Sequence, residues 1–234
     1  YKDEGKGPAI LLVHGTFGDL ADWDGWVKVL SPAYRVVRLD LPAFGMTGPI
    51  ASGVYSVERK HLVIDALMDH LGIDRFMVLG FCIGGPMIWN LIKRAPERIA
   101  AAVLAQPSGS RPDMRDFFFE NNMKGWGPDL IRRKPEIGMP VVERFLTRMY
   151  RTDPDFVFTV TRDFVRGCQT PILVLPDDIP AHPYAVAMET AMLAPRAEVS
   201  LFPWKEPKER IPLVVRQVRS FLRAHRPAAA PTAA

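Results

Sequence analysis

A cysteine set between glycines is the residue of this chain best placed to do chemistry. Gly80-Phe81-Cys82-Ile83-Gly84-Gly85 joins a short apolar run, Arg75–Leu79, to a helical pattern that starts at Ile83. The order glycine, any residue, nucleophile, any residue, glycine is that of a strand-to-helix elbow, a sharp turn that lifts a nucleophile above a sheet. A side chain at position 80 or 84 would collide with neighbouring backbone, and the turn is strained. Cys82 then stands at the N-terminus of the next helix, where the dipole is expected to favour the thiolate and lower the thiol pKa. Pro86 falls in the first turn, where its missing N–H costs nothing. A thiolate so placed attacks a carbonyl carbon and forms a covalent acyl thioester. The alternative is a glycine-rich turn around a buried, inert cysteine.

The elements that must position this cysteine are readable from the apolar runs. Strand candidates are Ala9–Val13, Arg35–Leu39, Arg75–Leu79, Ile99–Ala105, Pro171–Leu175 and Glu198–Phe202. Between them lie helical patterns over Asp22–Leu30, Ser56 (as N-cap) to Leu71 with Gly72 as its stop, Ile83–Arg94, Pro183–Leu193 and Ile211–Ala224. Strands that are apolar throughout and alternate with helices predict a parallel, doubly wound α/β sheet buried on both faces. The core is assigned to residues 1–107 and 167–226. Residues 108–166 break the rhythm: they hold no convincing strand and are rich in Phe and Met, including Phe117, Phe118 and Trp126. They are read as a helical insertion capping the end of the sheet, and residues 227–234 as a disordered low-complexity tail.

Composition limits the rest. The chain has 234 residues, 48% hydrophobic and 24% charged, the profile of one globular domain. Two cysteines exclude a disulfide framework and a cysteine-based zinc cluster, and no other metal or organic cofactor is implied. A net charge of +4, concentrated near the C-terminus without interleaved aromatics, is read as the solvated face of a terminal helix and not as a nucleic-acid surface. No run of eighteen apolar residues predicts a membrane span, and with no visible signal peptide the chain is expected to be cytoplasmic.

The segments His14-Gly15-Thr16-Phe17-Gly18 and Leu39-Asp40-Leu41-Pro42-Ala43-Phe44-Gly45, together with the elbow, resemble the α/β-hydrolase fold family, over roughly residues 8–106 and 169–224. The cysteine in the elbow is similar to the box of dienelactone hydrolases and polyhydroxyalkanoate synthases, which use a Cys–His–Asp triad. The resemblance implies an oxyanion hole formed by the backbone N–H of Thr16 or Phe17 and of Ile83, with His14 a structural loop residue. It also implies an acid in Pro176-Asp177-Asp178-Ile179, where Asp178 aligns best and Asp177 second. The family's histidine is missing: after the last strand the chain reads Leu201-Phe202-Pro203-Trp204-Lys205, so Trp204 or Lys205 holds its place. Of the five histidines, His61 and His70 read as surface residues on a helix, and only His182 lies near a catalytic loop. Two readings stay open: His182 serves as the base, or no histidine base exists.

The expected substrate is a small apolar or aromatic ester, lactone or thioester, contacted by Phe81, Phe117, Phe118 and Trp126. A catalytically degenerate ligand-binding member of the family, and an acyltransferase or lyase, are the alternatives.

Overall fold

The computed structural model describes residues 1–16, 18–42, 44–47, 57–151 and 156–227, with the side chains of 57–60 left aside. Seven strands form one sheet: β1 (Lys2–Glu4), β2 (Ala9–Val13), β3 (Arg35–Arg38), β4 (Phe76–Cys82), β5 (Ile99–Pro107), β6 (Ile172–Leu175) and β7 (Ala197–Val199). Their order across the sheet is β1-β3-β2-β4-β5-β6-β7; β1 is antiparallel to β3 and all other neighbours are parallel. The fold is thus the doubly wound, mostly parallel α/β sheet that the apolar runs predict.

Each central strand is buried on both faces, which is why its sequence is apolar without alternation. Along β2, Leu11 and Val13 face one core with Val78, Val103's neighbours Ala102 and Leu104, and Val174, while Ile10 and Leu12 face a second with Met77, Leu79 and Leu173. Helix α1 (Asp24–Leu30) and helix α9 (Ile211–Ala224) contribute to the second core, through Val27, Leu30, Val214, Val218, Phe221 and Leu222. Helices α2 (Val57–His70), α3 (Gly84–Arg94) and α8 (Tyr184–Leu193) contribute to the first, through Ile64, Met68, Ile88, Trp89 and Val186.

Between β5 and β6 the chain forms α4 (Phe117–Lys124), α5 (Trp126–Arg133), α6 (Met139–Tyr150) and α7 (Arg162–Gly167), with no strand among the described residues. This segment meets the loops that follow β2 and β3. Trp126 stacks on Phe44 at 5.3 Å, and the Tyr150 phenol meets the Thr16 side chain.

Three details differ from the sequence reading. Strand β1 carries no apolar signal: its residues are Lys2, Asp3 and Glu4, held at the sheet edge by ion pairs such as Arg35–Asp3 at 2.7 Å. Strand β7 ends at Val199, three residues short of Phe202. His61 is buried, not on the surface, and pairs with Asp65 at 2.6 Å. Ser56 and residues 228–234 lie outside the described residues.

Candidate active site

The last residue of β4 is Cys82, whose φ of 56° lies in the left-handed region, which is strained for a residue other than glycine. The flanking glycines make that turn possible. A Cβ on Gly80 would stand 2.8 Å from the Gly84 backbone, and one on Gly84 would stand 2.6 Å from the Val13 carbonyl oxygen. Gly84→Ala is therefore expected to lower stability by about 2 kcal/mol, read by urea denaturation, because the backbone it meets has no rotamer to yield. An unchanged midpoint would mean the elbow is looser than its contacts suggest.

The backbone N–H groups of Thr16 and Ile83 and the Ser108 hydroxyl stand around the Cys82 sulfur and favour its anion. Ser108 is fully buried and follows directly on β5. Burial nevertheless dominates: it pushes the Cys82 thiol up to about 11, and the neighbouring Thr16, Ile83 and Ser108 groups offset only part of that. The expected activation by the helix dipole is outweighed, and Cys82 is a neutral thiol at pH 7. Tyr150, buried in α6, stands beside the thiol and Thr16; its phenol is raised by burial first and by Cys82 second. Phe17 lies outside the described residues.

His14 holds the loop that supplies Thr16. It is fully buried, its Nε2 accepts the Leu41 N–H at 3.0 Å, and its Nδ1 lies 2.7 Å from the Gly15 carbonyl oxygen. Both partners are satisfied when Nδ1 carries the proton.

A second cluster forms at the ends of β5, β6 and β7. Asp178, the residue that aligned best as the acid, is exposed. Asp177 is the one turned inward, 7% exposed. A single carboxylate oxygen, Oδ2, receives the Gln106 amide at 2.5 Å, the Lys205 ammonium at 2.9 Å and His182 Nδ1 at 3.2 Å. The Trp204 indole N–H donates to the Pro176 carbonyl at 2.8 Å and pins the incoming chain. Burial would raise the Asp177 carboxyl, but Lys205 first and His182 second outweigh it and hold the group below its ordinary range. Burial pushes the His182 imidazole down, and Asp177 recovers only part of that. The imidazole is therefore neutral at pH 7. Its Nε2 is buried and makes no hydrogen bond, so the thiol–imidazole contact of a formed triad is absent. From the elbow, the Phe81 ring meets the His182 ring edge-on at 5.3 Å.

The candidate substrate residues divide. Phe81 lines a cavity of about 330 Å³ together with His14, Trp26, Gln106 and Trp204. Phe118 and Trp126 are spent inside an aromatic core, with Phe118 stacked on Tyr150 at 5.4 Å. Phe117 is half-buried against Phe118. Gln106, Ser108 and Tyr150 were not picked out by sequence. Gln106 and Ser108 did carry a signal, as polar residues closing an apolar strand beside the elbow strand; Tyr150 carried none. Among the described residues no group of three metal-ligating side chains exists, and no helix is long and apolar enough to cross a membrane.

Comparison with known proteins agrees with the topology. The dihydrolipoyllysine-residue acetyltransferase component of the acetoin cleaving system of Cupriavidus necator is 34% identical over 105 residues, covering 45% of this chain and 28% of that one. The 2-hydroxy-6-oxo-6-phenylhexa-2,4-dienoate hydrolase of Comamonas testosteroni is 29% identical over 117 residues, covering 47% and 40%. The chain thus spans well under half the length of these curated relatives. Among solved structures, a meta-cleavage product hydrolase of Pseudomonas fluorescens superposes with a TM-score of 0.72 at 21% identity, covering 95% and 93% of the two chains. The enol-lactonase of Burkholderia xenovorans does so with a TM-score of 0.69 at 21% identity, covering 95% of each. These two similarities speak for the fold. The sequence profile of the alpha/beta hydrolase fold matches residues 8–136. Because that match runs through more than half of the chain, the protein belongs to the α/β-hydrolase fold family.

Proposed function

We propose that the protein is an enzyme of acyl chemistry, in which Cys82 attacks the carbonyl of an apolar or aromatic ester, lactone or thioester. The observation that carries this reading is a thiol set on a left-handed elbow between two close-packed glycines, with the backbone N–H groups of Thr16 and Ile83 beside its sulfur. Donors aimed at that point are in place to hold the negative oxygen that develops when the sulfur adds to a carbonyl. In the first step the S–H bond breaks, a carbon–sulfur bond forms, and the bond to the leaving oxygen or sulfur breaks. The thiol proton ends on the leaving group. Residues 108–166 serve as the cap that closes the site over a core of residues 1–107 and 167–226. His182, neutral and oriented by Asp177, is the group available to take a proton from water in the second step, once substrate displaces Phe81. Asp177 is the acid of this reading in place of Asp178. Relatives and neighbours named as hydrolases and as an enol-lactonase point to the same carbonyl chemistry.

A second reading, a family member that binds its ligand without turnover, is favoured by the lack of any hydrogen bond at His182 Nε2. One experiment separates the two. The protein is mixed with p-nitrophenyl butyrate at pH 9, quenched and weighed intact. The expected result is one butyryl group per chain, absent from Cys82→Ala, and accumulating because deacylation is slower than acylation. No adduct, or an adduct that persists in Cys82→Ala, overturns the nucleophile and leaves the binding reading.

A further inference from the structure

The edge of the sheet opposite Cys82, where the parallel strands begin, holds a cavity of about 610 Å³. Residues just ahead of β4, β5, β6 and β7 wall it, together with the final turn of α3 and the end of α9. Its lining includes Arg75, Lys93, Arg196, Arg226 and His225, against a single carboxylate, Asp163. That carboxylate is already paired with Arg166 at 2.5 Å. Among the described residues none of the four cations forms an ion pair. Arg196 spends one N–H on the Gln169 carbonyl oxygen at 3.0 Å and keeps the rest of its fork. Lys93 and Arg226 stand at helix C-termini, where a cation offsets the partial negative charge of the last carbonyls. Arg75 and Arg196 stand just ahead of β4 and β7. Between the charges the wall is apolar, with Ile92, Ile99 and the half-buried ring of Phe164. On α9, Arg219 and Arg223 continue the positive charge toward Arg226 on one helix face.

We propose that this cavity binds a phosphorylated small molecule with a flat apolar body, of nucleoside diphosphate size, at a site separate from Cys82. The volume falls in the range of small-ligand sites. Guanidinium forks match phosphate oxygens two at a time, and the Phe164 wall offers a face for a ring. The seven residues of β4 separate the two ends of the sheet by about 20 Å, so both sites can be filled together.

Isothermal titration with ADP in metal-free, low-salt buffer tests this, with adenosine as the uncharged probe. The expected result is saturable one-to-one binding of ADP and none of adenosine. Arg75→Ala and Arg196→Ala, both exposed and checked by thermal melting for an intact fold, each weaken it about tenfold. Arg216→Ala, exposed on α9 but outside the cavity, leaves it unchanged, and Cys82→Ala retains it. No saturation at millimolar ADP overturns the proposal. So does equal weakening by Arg216→Ala, which would mark diffuse attraction to any polyanion, single-stranded RNA included. Loss of binding in Cys82→Ala overturns the separation of the sites.

Discussion

Iodoacetamide labels Cys82 about 100-fold faster at pH 9 than at pH 7. Only the thiolate reacts, and a thiol pushed up to about 11 lies above both pH values, so its ionised fraction grows about tenfold per pH unit throughout. An ordinary thiol, with a pKa of about 8.5, would gain about 25-fold over the same interval and level off. A thiolate activated by the helix N-terminus would show almost no dependence. The three profiles are separable by peptide mapping, which also distinguishes Cys168, itself buried and raised by burial. The physical contest is between two terms. Backbone N–H groups at the elbow stabilise the anion, and removal from water destabilises it; here the second is larger. A flat profile would return the advantage to the dipole.

Asp177→Ala lowers stability by about 3 kcal/mol, whereas Asp178→Ala stays within about 0.5 kcal/mol of the unchanged protein. Both are read from urea midpoints at pH 7. Removing Asp177 strips the acceptor from the buried Gln106 amide and from His182 Nδ1, and leaves Lys205 to turn toward water. Two buried donors without partners carry most of the cost. Asp178 points to solvent and has no such dependants. Equal effects of the two substitutions would contradict the buried cluster.

These neighbouring aspartates show where sequence reasoning stops. The apolar runs that became β2, β4, β5 and β6 were readable because burial on both faces leaves a continuous hydrophobic signal. The elbow was readable because only glycine tolerates the approach of Val13 and the crossing of Gly80 against Gly84. Nothing local distinguishes Asp177 from Asp178. Which one turns inward is decided by the pairing of Ile179 with His182 and by Lys205 arriving from a segment 28 residues away. The edge strand β1 was hidden for a related reason, since pairing on one side with charged side chains leaves no hydrophobic trace. Trp204 or Lys205 was recognised as standing where the family's histidine belongs. The actual partner of Lys205, the same carboxylate oxygen that His182 uses, required coordinates.

That shared oxygen makes Asp177 and His182 a coupled pair and not two residues with separate acidities. At neutral pH the ionised carboxylate is balanced by the Lys205 ammonium paired with it, and the imidazole is uncharged. The imidazole is held below its ordinary value of 6.5, so the unfolded chain takes up that proton first as the solution becomes more acid. Stability supplied by this corner is full above that value and drains away as pH falls toward the lowered one. The carboxylate, held below 3.8, gives way only later. The loop joining the ends of β6 and β7 thus behaves as a neutral latch with an acid-sensitive hinge pin, and the first proton to loosen it lands on the imidazole.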